Sequence, residues 1–226
     1  MRKFISPTLA LFALLLFPES MHAQAIARTD GAPVPRYHYL FENPRFTTPV
    51  QEVEFDGGGR GRYRFQRKEQ DEIVLTFEVS GALLSQVQSL FDALNFLEST
   101  EDYQHKKDFS HLGSKTITLS RGGRERTIKF NYTDNQSLNR LADIFQNLAT
   151  QENRFYELEA IRANDPISTP AQLRLLESEL KSKHIADPTR FEKVLQEIKL
   201  DEGVPLIARN HADRLLLMIR KGQKEK

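Results

Sequence analysis

The chain has 226 residues and no cysteine, so it is long enough for one or two domains with a hydrophobic core but has no disulfides. The missing cysteines also exclude a thiolate zinc site and a lipid anchor on cysteine. Its 32 basic and 31 acidic side chains nearly cancel. This balance argues against a nucleic-acid binder, because such proteins depend on clustered, uncompensated lysine and arginine.

The first 25 residues have the order of a secretory signal peptide. Arg2 and Lys3 precede an apolar run over residues 9–17, and a small-x-small triplet at residues 23–25 offers a cleavage site. The apolar run is about half as long as a membrane span, so we predict cleavage after Ala25 and no membrane association afterwards. Export without any cysteine fits a bacterial protein of the periplasm or the extracellular space.

Residues 26–36 are polar and contain two prolines, and we predict a flexible segment there. From residue 37 onwards, alternation of apolar and polar residues predicts strands at 53–55, 62–65 and 73–79. Two more strands flank Gly122-Gly123, since adjacent glycines accept the positive φ angles of a tight hairpin turn. In that hairpin we expect one apolar face, made of Ile117, Leu119, Ile128 and Phe130.

Apolar residues at helical spacing predict helices beyond and between these strands. Ser80 and Asp187 are expected N-caps. The predicted helices span residues 82–97, 135–162, 169–183, 188–199 and 205–221. We therefore predict an α+β protein, with an antiparallel meander sheet of about five strands and helices on one face in residues 37–163, and an all-helical subdomain in residues 164–226.

The segment EDYQHKKDFSHLG, residues 101–113, is the candidate loop, because it holds the densest set of potential ligands. One interpretation is a polar connection between a helix and a strand, held to the core by Phe109 and Leu112. The other is a metal-dependent hydrolase site. The spacing matches no recognised ligand motif, which favours the connection. In the hydrolase, His105, Asp108 and His111 would bind the ion, Glu101 or Asp102 would act as general base, and Tyr103 would steady an oxyanion.

The segment DGGGRGR, residues 56–62, resembles a phosphate-binding glycine loop but lacks its lysine and hydroxyl residues. We predict a charged hairpin instead, with Glu52 and Glu54 facing Arg62 and Arg64 across the two strands. The chain has no nucleophile elbow and no cofactor fingerprint, so the sequence predicts no catalytic residue and no cofactor.

The segments LNFLESTEDYQ, DFSHLG, GGRERTIKFNYT and VPLIARNHADRLL are similar to stretches in a family of uncharacterised exported bacterial proteins of the acidobacterial type. The similarity covers most of residues 37–221. It implies export and a mixed α and β domain, and the family contributes no assigned activity or site. We predict a non-enzymatic extracytoplasmic binding or accessory module, whose partner is another extracytoplasmic protein. This prediction rests on the self-pairing surface charges, on the lack of a nucleophile motif or cofactor fingerprint, and on a C-terminal helical unit that suits protein contacts.

Overall fold

The computed structural model describes residues 34–224, so the predicted signal peptide lies outside the described residues. Six antiparallel strands form one sheet, and the chain continues into a helical C-terminal part. The predicted α+β class is therefore confirmed. The strands are β1 (Arg36–Glu42), β2 (Val50–Asp56), β3 (Arg60–Gln66), β4 (Glu72–Glu78), β5 (Ser114–Arg121) and β6 (Arg124–Phe130).

The sheet has the strand order β4-β3-β2-β1-β5-β6. The first four strands form a meander, and the chain then crosses the sheet to place β5 beside β1. The sheet has six strands rather than about five, because β1 is an additional, central strand. This strand was not predicted from the sequence because Tyr39, Leu40 and Phe41 are apolar in succession, which breaks the alternation of apolar and polar residues. Leu40 lies on the polar face and is half-buried.

Two tight turns hold the hairpins in register. Asp56 organises the β2–β3 turn, where its Oδ1 accepts the backbone N–H of Gly58 at 2.8 Å. Gly59 in the same turn has φ +85, and a Cβ there would lie 2.6 Å from the carbonyl oxygen of Val79. At the β5–β6 turn, Gly122 has φ 62 and its glycine neighbour φ 77, as predicted for this hairpin.

Helices α1 (Gly81–Ala93) and α2 (Gln136–Asn164) cover the apolar face of the sheet. The Tyr39 ring stacks on Phe145 of α2, with ring centres 5.2 Å apart. Helix α1 ends before its predicted end at residue 97, because Asn95 adopts φ 44, a conformation that stops a helix.

The C-terminal part contains α3 (Thr169–Lys181), α4 (Glu192–Leu200) and α5 (Leu206–Lys224) around a second core. Leu158 of α2 belongs to that second core. The predicted helix from residue 188 begins instead as a 3-10 turn, Pro188–Phe191, where Asp187 accepts the backbone N–H of Thr189 at 3.0 Å. None of the helices within residues 34–224 is both long and apolar enough to cross a bilayer.

Candidate functional site

Tyr103 anchors the candidate loop to the core. Its side chain is 4 % exposed, and its hydroxyl donates to the carbonyl of Leu94 at 3.5 Å. The guanidinium of Arg126 lies 5.4 Å from the centre of its ring and donates to the carbonyl of Glu101 at 2.8 Å. Tyr103 therefore holds the loop in place, and its hydroxyl faces the protein interior.

The two predicted anchors of the candidate loop behave differently. Leu112 is 39 % exposed, so its prediction as a core anchor was wrong. Phe109 is half-buried and packs against Tyr132 and His105, with ring centres 4.8 Å and 5.3 Å away. The loop is held by Tyr103 from inside the core and by this ring cluster from its outer side.

His105, Asp108 and His111 have different polar partners, although the Phe109 ring lies beside both histidines. Nδ1 of His105 accepts the backbone N–H of Lys107 at 2.9 Å, and its Nε2 lies 3.3 Å from a carboxylate oxygen of Asp134. Asp108 accepts hydrogen bonds within its own turn and one from Asn131 Nδ2 at 3.4 Å, and His111 is exposed. In the described part of the chain, no three His, Cys, Asp or Glu side chains lie together as a metal site requires. The geometry gives the hydrolase interpretation no support.

Two amide side chains that the sequence did not single out join the candidate loop to the end of β6. Gln104 Nε2 donates to Asn131 Oδ1 at 2.8 Å, and the Asn131 N–H donates back to Gln104 Oε1 at 2.9 Å. Lys115 Nζ donates to the Asn131 carbonyl at 3.0 Å, and burial lowers the pKa of this lysine. Glu101 and Asp102 are exposed beside this junction. All these contacts attach the candidate loop to the sheet, as expected for a polar connection between a helix and a strand.

The face of the sheet opposite the helices, the open face, carries an ordered array of charges. Cross-strand pairing places Arg36 opposite both Asp56 and Ser120, and Arg60 opposite Glu78. Ser120 is in turn opposite Glu125. One side chain from each strand thus lies in a single line across the sheet. This charge row consists, in order, of Glu78, Arg60, Asp56, Arg36, Ser120 and Glu125.

Most members of the charge row are paired with each other. Arg60 and Asp56 form an ion pair at 3.0 Å, and the Ser120 hydroxyl donates to Glu125. Backbone N–H groups and Arg60 hold the pKa of Asp56 below its ordinary value, despite an opposing contribution from burial. Within residues 34–224, no hydrogen bond or ion pair reaches the side chains of Arg36 or Glu78, and both are exposed.

Further rows of side chains follow along the strands. In the second row, Arg62 forms an ion pair with Glu54 directly opposite it. The second row consists, in order, of Thr76, Arg62, Glu54, His38, Thr118 and Thr127. In the third row, Glu52 contacts Arg64 and accepts from His38 Nε2 at 2.6 Å. Burial would raise the pKa of Glu52, but the hydrogen bonds from His38 and Arg64 outweigh it and lower that pKa. The predicted pairing of Glu52 and Glu54 with Arg64 and Arg62 is confirmed.

A cavity of about 1070 Å3 lies over the charge row and the second row. Every member of the charge row lines it, and Thr76 and Thr118 of the second row do so as well. Four arginines and four carboxylates line it, and one of the arginines, Arg190, comes from the 3-10 turn and is paired with Glu152 outside the lining. The arginines are Arg36, Arg60, Arg62 and Arg190, and the carboxylates are Glu54, Asp56, Glu78 and Glu125.

No protein-family model matches the chain, and no curated protein matches it in sequence.

A smaller cavity of about 430 Å3 lies beside the candidate loop and is lined by Gln104, Lys129 and Asn131, among others. The large cavity of the open face is the stronger candidate, since it combines size with an ordered set of charges.

Proposed function

We propose that the chain is an exported, non-enzymatic binding or accessory module, and that the open face is its binding surface. The cavity over the charge row is the observation that supports this proposal. Most of its lining comes from strands of one hydrogen-bonded sheet, and Thr189 and Arg190 of the 3-10 turn add to it. Arg36 and Glu78 both lie on strands of that sheet, so a rigid scaffold holds them. A surface prepared in this way loses little conformational entropy when a ligand binds.

The ion pairs and hydrogen bonds among the side chains of the cavity favour specific binding over nonspecific charge attraction. Arg60, Asp56 and Glu125 already have protein partners. Arg36 and Glu78 are the groups that lack one among the described residues, and they have opposite charges. A partner with complementary charges would complete the charge row without breaking any existing ion pair.

The sequence supports export and a partner outside the cytoplasm. The basic start, the apolar run and the small-x-small triplet that ends at Ala25 support secretion, as does the similarity to exported bacterial proteins. We therefore propose that the module acts in the periplasm or outside the cell, where its partner is another extracytoplasmic protein. The candidate loop then has a structural role, as a connection next to the binding sheet.

A comparison of variants in the secreted protein tests this function. The chain is expressed with its own N-terminal segment, recovered from the periplasmic fraction and used to capture partners from a periplasmic extract. The double variant Arg36→Glu, Glu78→Arg should lose the capture, while Lys193→Glu, an exposed site on α4, should retain it. Retention in the cell interior would refute export. Equal capture by both variants, or turnover in a hydrolase screen, would refute the proposed binding function.

A further inference from the structure

We propose that the open face binds a short peptide with free ends that lies across the strands, with its C-terminal carboxylate on Arg36 and its N-terminal ammonium group on Glu78. This inference rests on the proposed function and adds the chemical class of the ligand. It starts from the two members of the charge row that lack a partner within residues 34–224. These two have opposite charges, so a ligand with both a negative and a positive group satisfies them together.

The overall charge of the cavity favours the same class. Four arginines and four carboxylates line it, so a purely anionic or purely cationic ligand would meet repulsion as well as attraction. A zwitterionic ligand avoids this conflict if its charges follow the order of the row. The guanidinium of Arg36 offers parallel donors to a carboxylate, and the carboxylate of Glu78 accepts from an ammonium group.

The spacing of the strands sets the length of the ligand. Arg36 lies on β1 and Glu78 on β4, with β2 and β3 between them. Three strand intervals of about 4.8 Å separate the two backbones by about 14 Å. An extended chain spans about 3.3 to 3.6 Å per residue, so about four residues cover that distance.

The second row supplies groups that suit a peptide backbone. Thr76 and Thr118 line the cavity beside the charge row, and each hydroxyl can donate and accept hydrogen bonds. The Thr118 hydroxyl lies 2.8 Å from that of Thr127, which leaves lone pairs for a ligand N–H. A peptide placed over the charge row therefore has polar side chains along its length as well as charges at its ends.

Titration of the mature protein with tetra-alanine tests the inference, with binding followed by NMR chemical shifts and calorimetry. Tetra-alanine with free termini should shift the signals of residues 36 and 78. Arg36→Gln and Glu78→Gln should each weaken binding about tenfold, the order of magnitude for one charge-assisted hydrogen bond. Lys193→Gln should leave the affinity unchanged.

Blocked peptides show whether each end occupies its assigned residue. The C-terminal amide should bind about tenfold more weakly to the parent protein and should lose little more in Arg36→Gln. The N-acetyl peptide should show the same relation with Glu78→Gln. Additive losses, or affinities that neither variant changes, would overturn the assignment.

A second probe separates the ligand class from the proposed function. If tetra-alanine causes no shift on the open face but a partner captured from the periplasmic extract does, the peptide inference is wrong and the binding function stands. If neither probe shifts these residues, both are wrong. Shifts confined to the candidate loop would also overturn the peptide inference.

Discussion

Replacement of Arg190 by methionine should destabilise the protein by about 3 kcal/mol. Glu152 of α2 is fully buried, and its carboxylate accepts from Nε and Nη2 of Arg190 at 3.1 to 3.3 Å. The guanidinium also lies 3.7 Å from the centre of the Phe155 ring. Breaking a buried ion pair costs ~3 to 5 kcal/mol, because one charge stays buried without an opposite charge. Among the described residues, Glu152 would keep only the hydrogen bond from Gln151 Nε2, at 3.0 Å. The low end applies since Arg190 retains 28 % exposure.

Urea unfolding followed by circular dichroism measures this change in the free energy of unfolding. In a thermal melt, the melting temperature should fall by about 6 to 12 °C. Arg62→Met is the matched control, because its pair with Glu54 is exposed and contributes ~0 to 1 kcal/mol. The double variant Glu152→Met, Arg190→Met should regain most of the lost stability, since no charge is then left buried. Equal losses in the two arginine variants, or no recovery in the double variant, would refute the reasoning.

Two further changes test local contacts. Asn135→Ala should cost ~1 kcal/mol in urea unfolding, because the Asn135 side chain caps α2, whereas Ser80→Ala should cost much less, since Ser80 makes no capping bond. Equal losses would contradict this. Because hydrogen bonds from His38 and Arg64 lower the pKa of Glu52, its stabilisation is present above pH ~4.5 and is lost as the pH falls through the lowered pKa. Melting temperatures from pH 7 to 3 should fall less steeply for Glu52→Gln, and identical slopes would show that this pair contributes nothing.

The sequence predicts the parts of the fold that depend on neighbouring residues. The two-residue period of β2 and β3 sets which side chains face each other, so the pairs of Glu52 and Glu54 were predictable. The turn at Gly122-Gly123 was equally local. The charge row was not predictable, because Arg36 and Ser120 become neighbours only through a pairing between distant segments. No sequence pattern indicates such a pairing.

The candidate loop illustrates the same limit. Its histidines and carboxylates drew attention because these residue types bind metals. What holds the loop is Tyr103, which a sequence pattern cannot distinguish from an exposed tyrosine, and the amide pair Gln104 and Asn131, which carries no charge. The residue types in the loop indicated that metal binding was chemically possible. Only the packed structure shows which of these side chains contact the rest of the protein and which remain available to a ligand.

The position of β1 in the sheet also sets an order of assembly. β1 pairs on one edge with β2, the next strand along the chain. Its other edge pairs with β5, which is distant in sequence, as in the pair Arg36 and Ser120. Until the β5–β6 hairpin has been synthesised and docked, the four-stranded meander exposes the middle of the future sheet as a bare edge. Contacts so distant along the chain slow folding, and bare edges invite pairing with other chains. We therefore expect the docking of the β5–β6 hairpin to be a step at which the chain is exposed to aggregation.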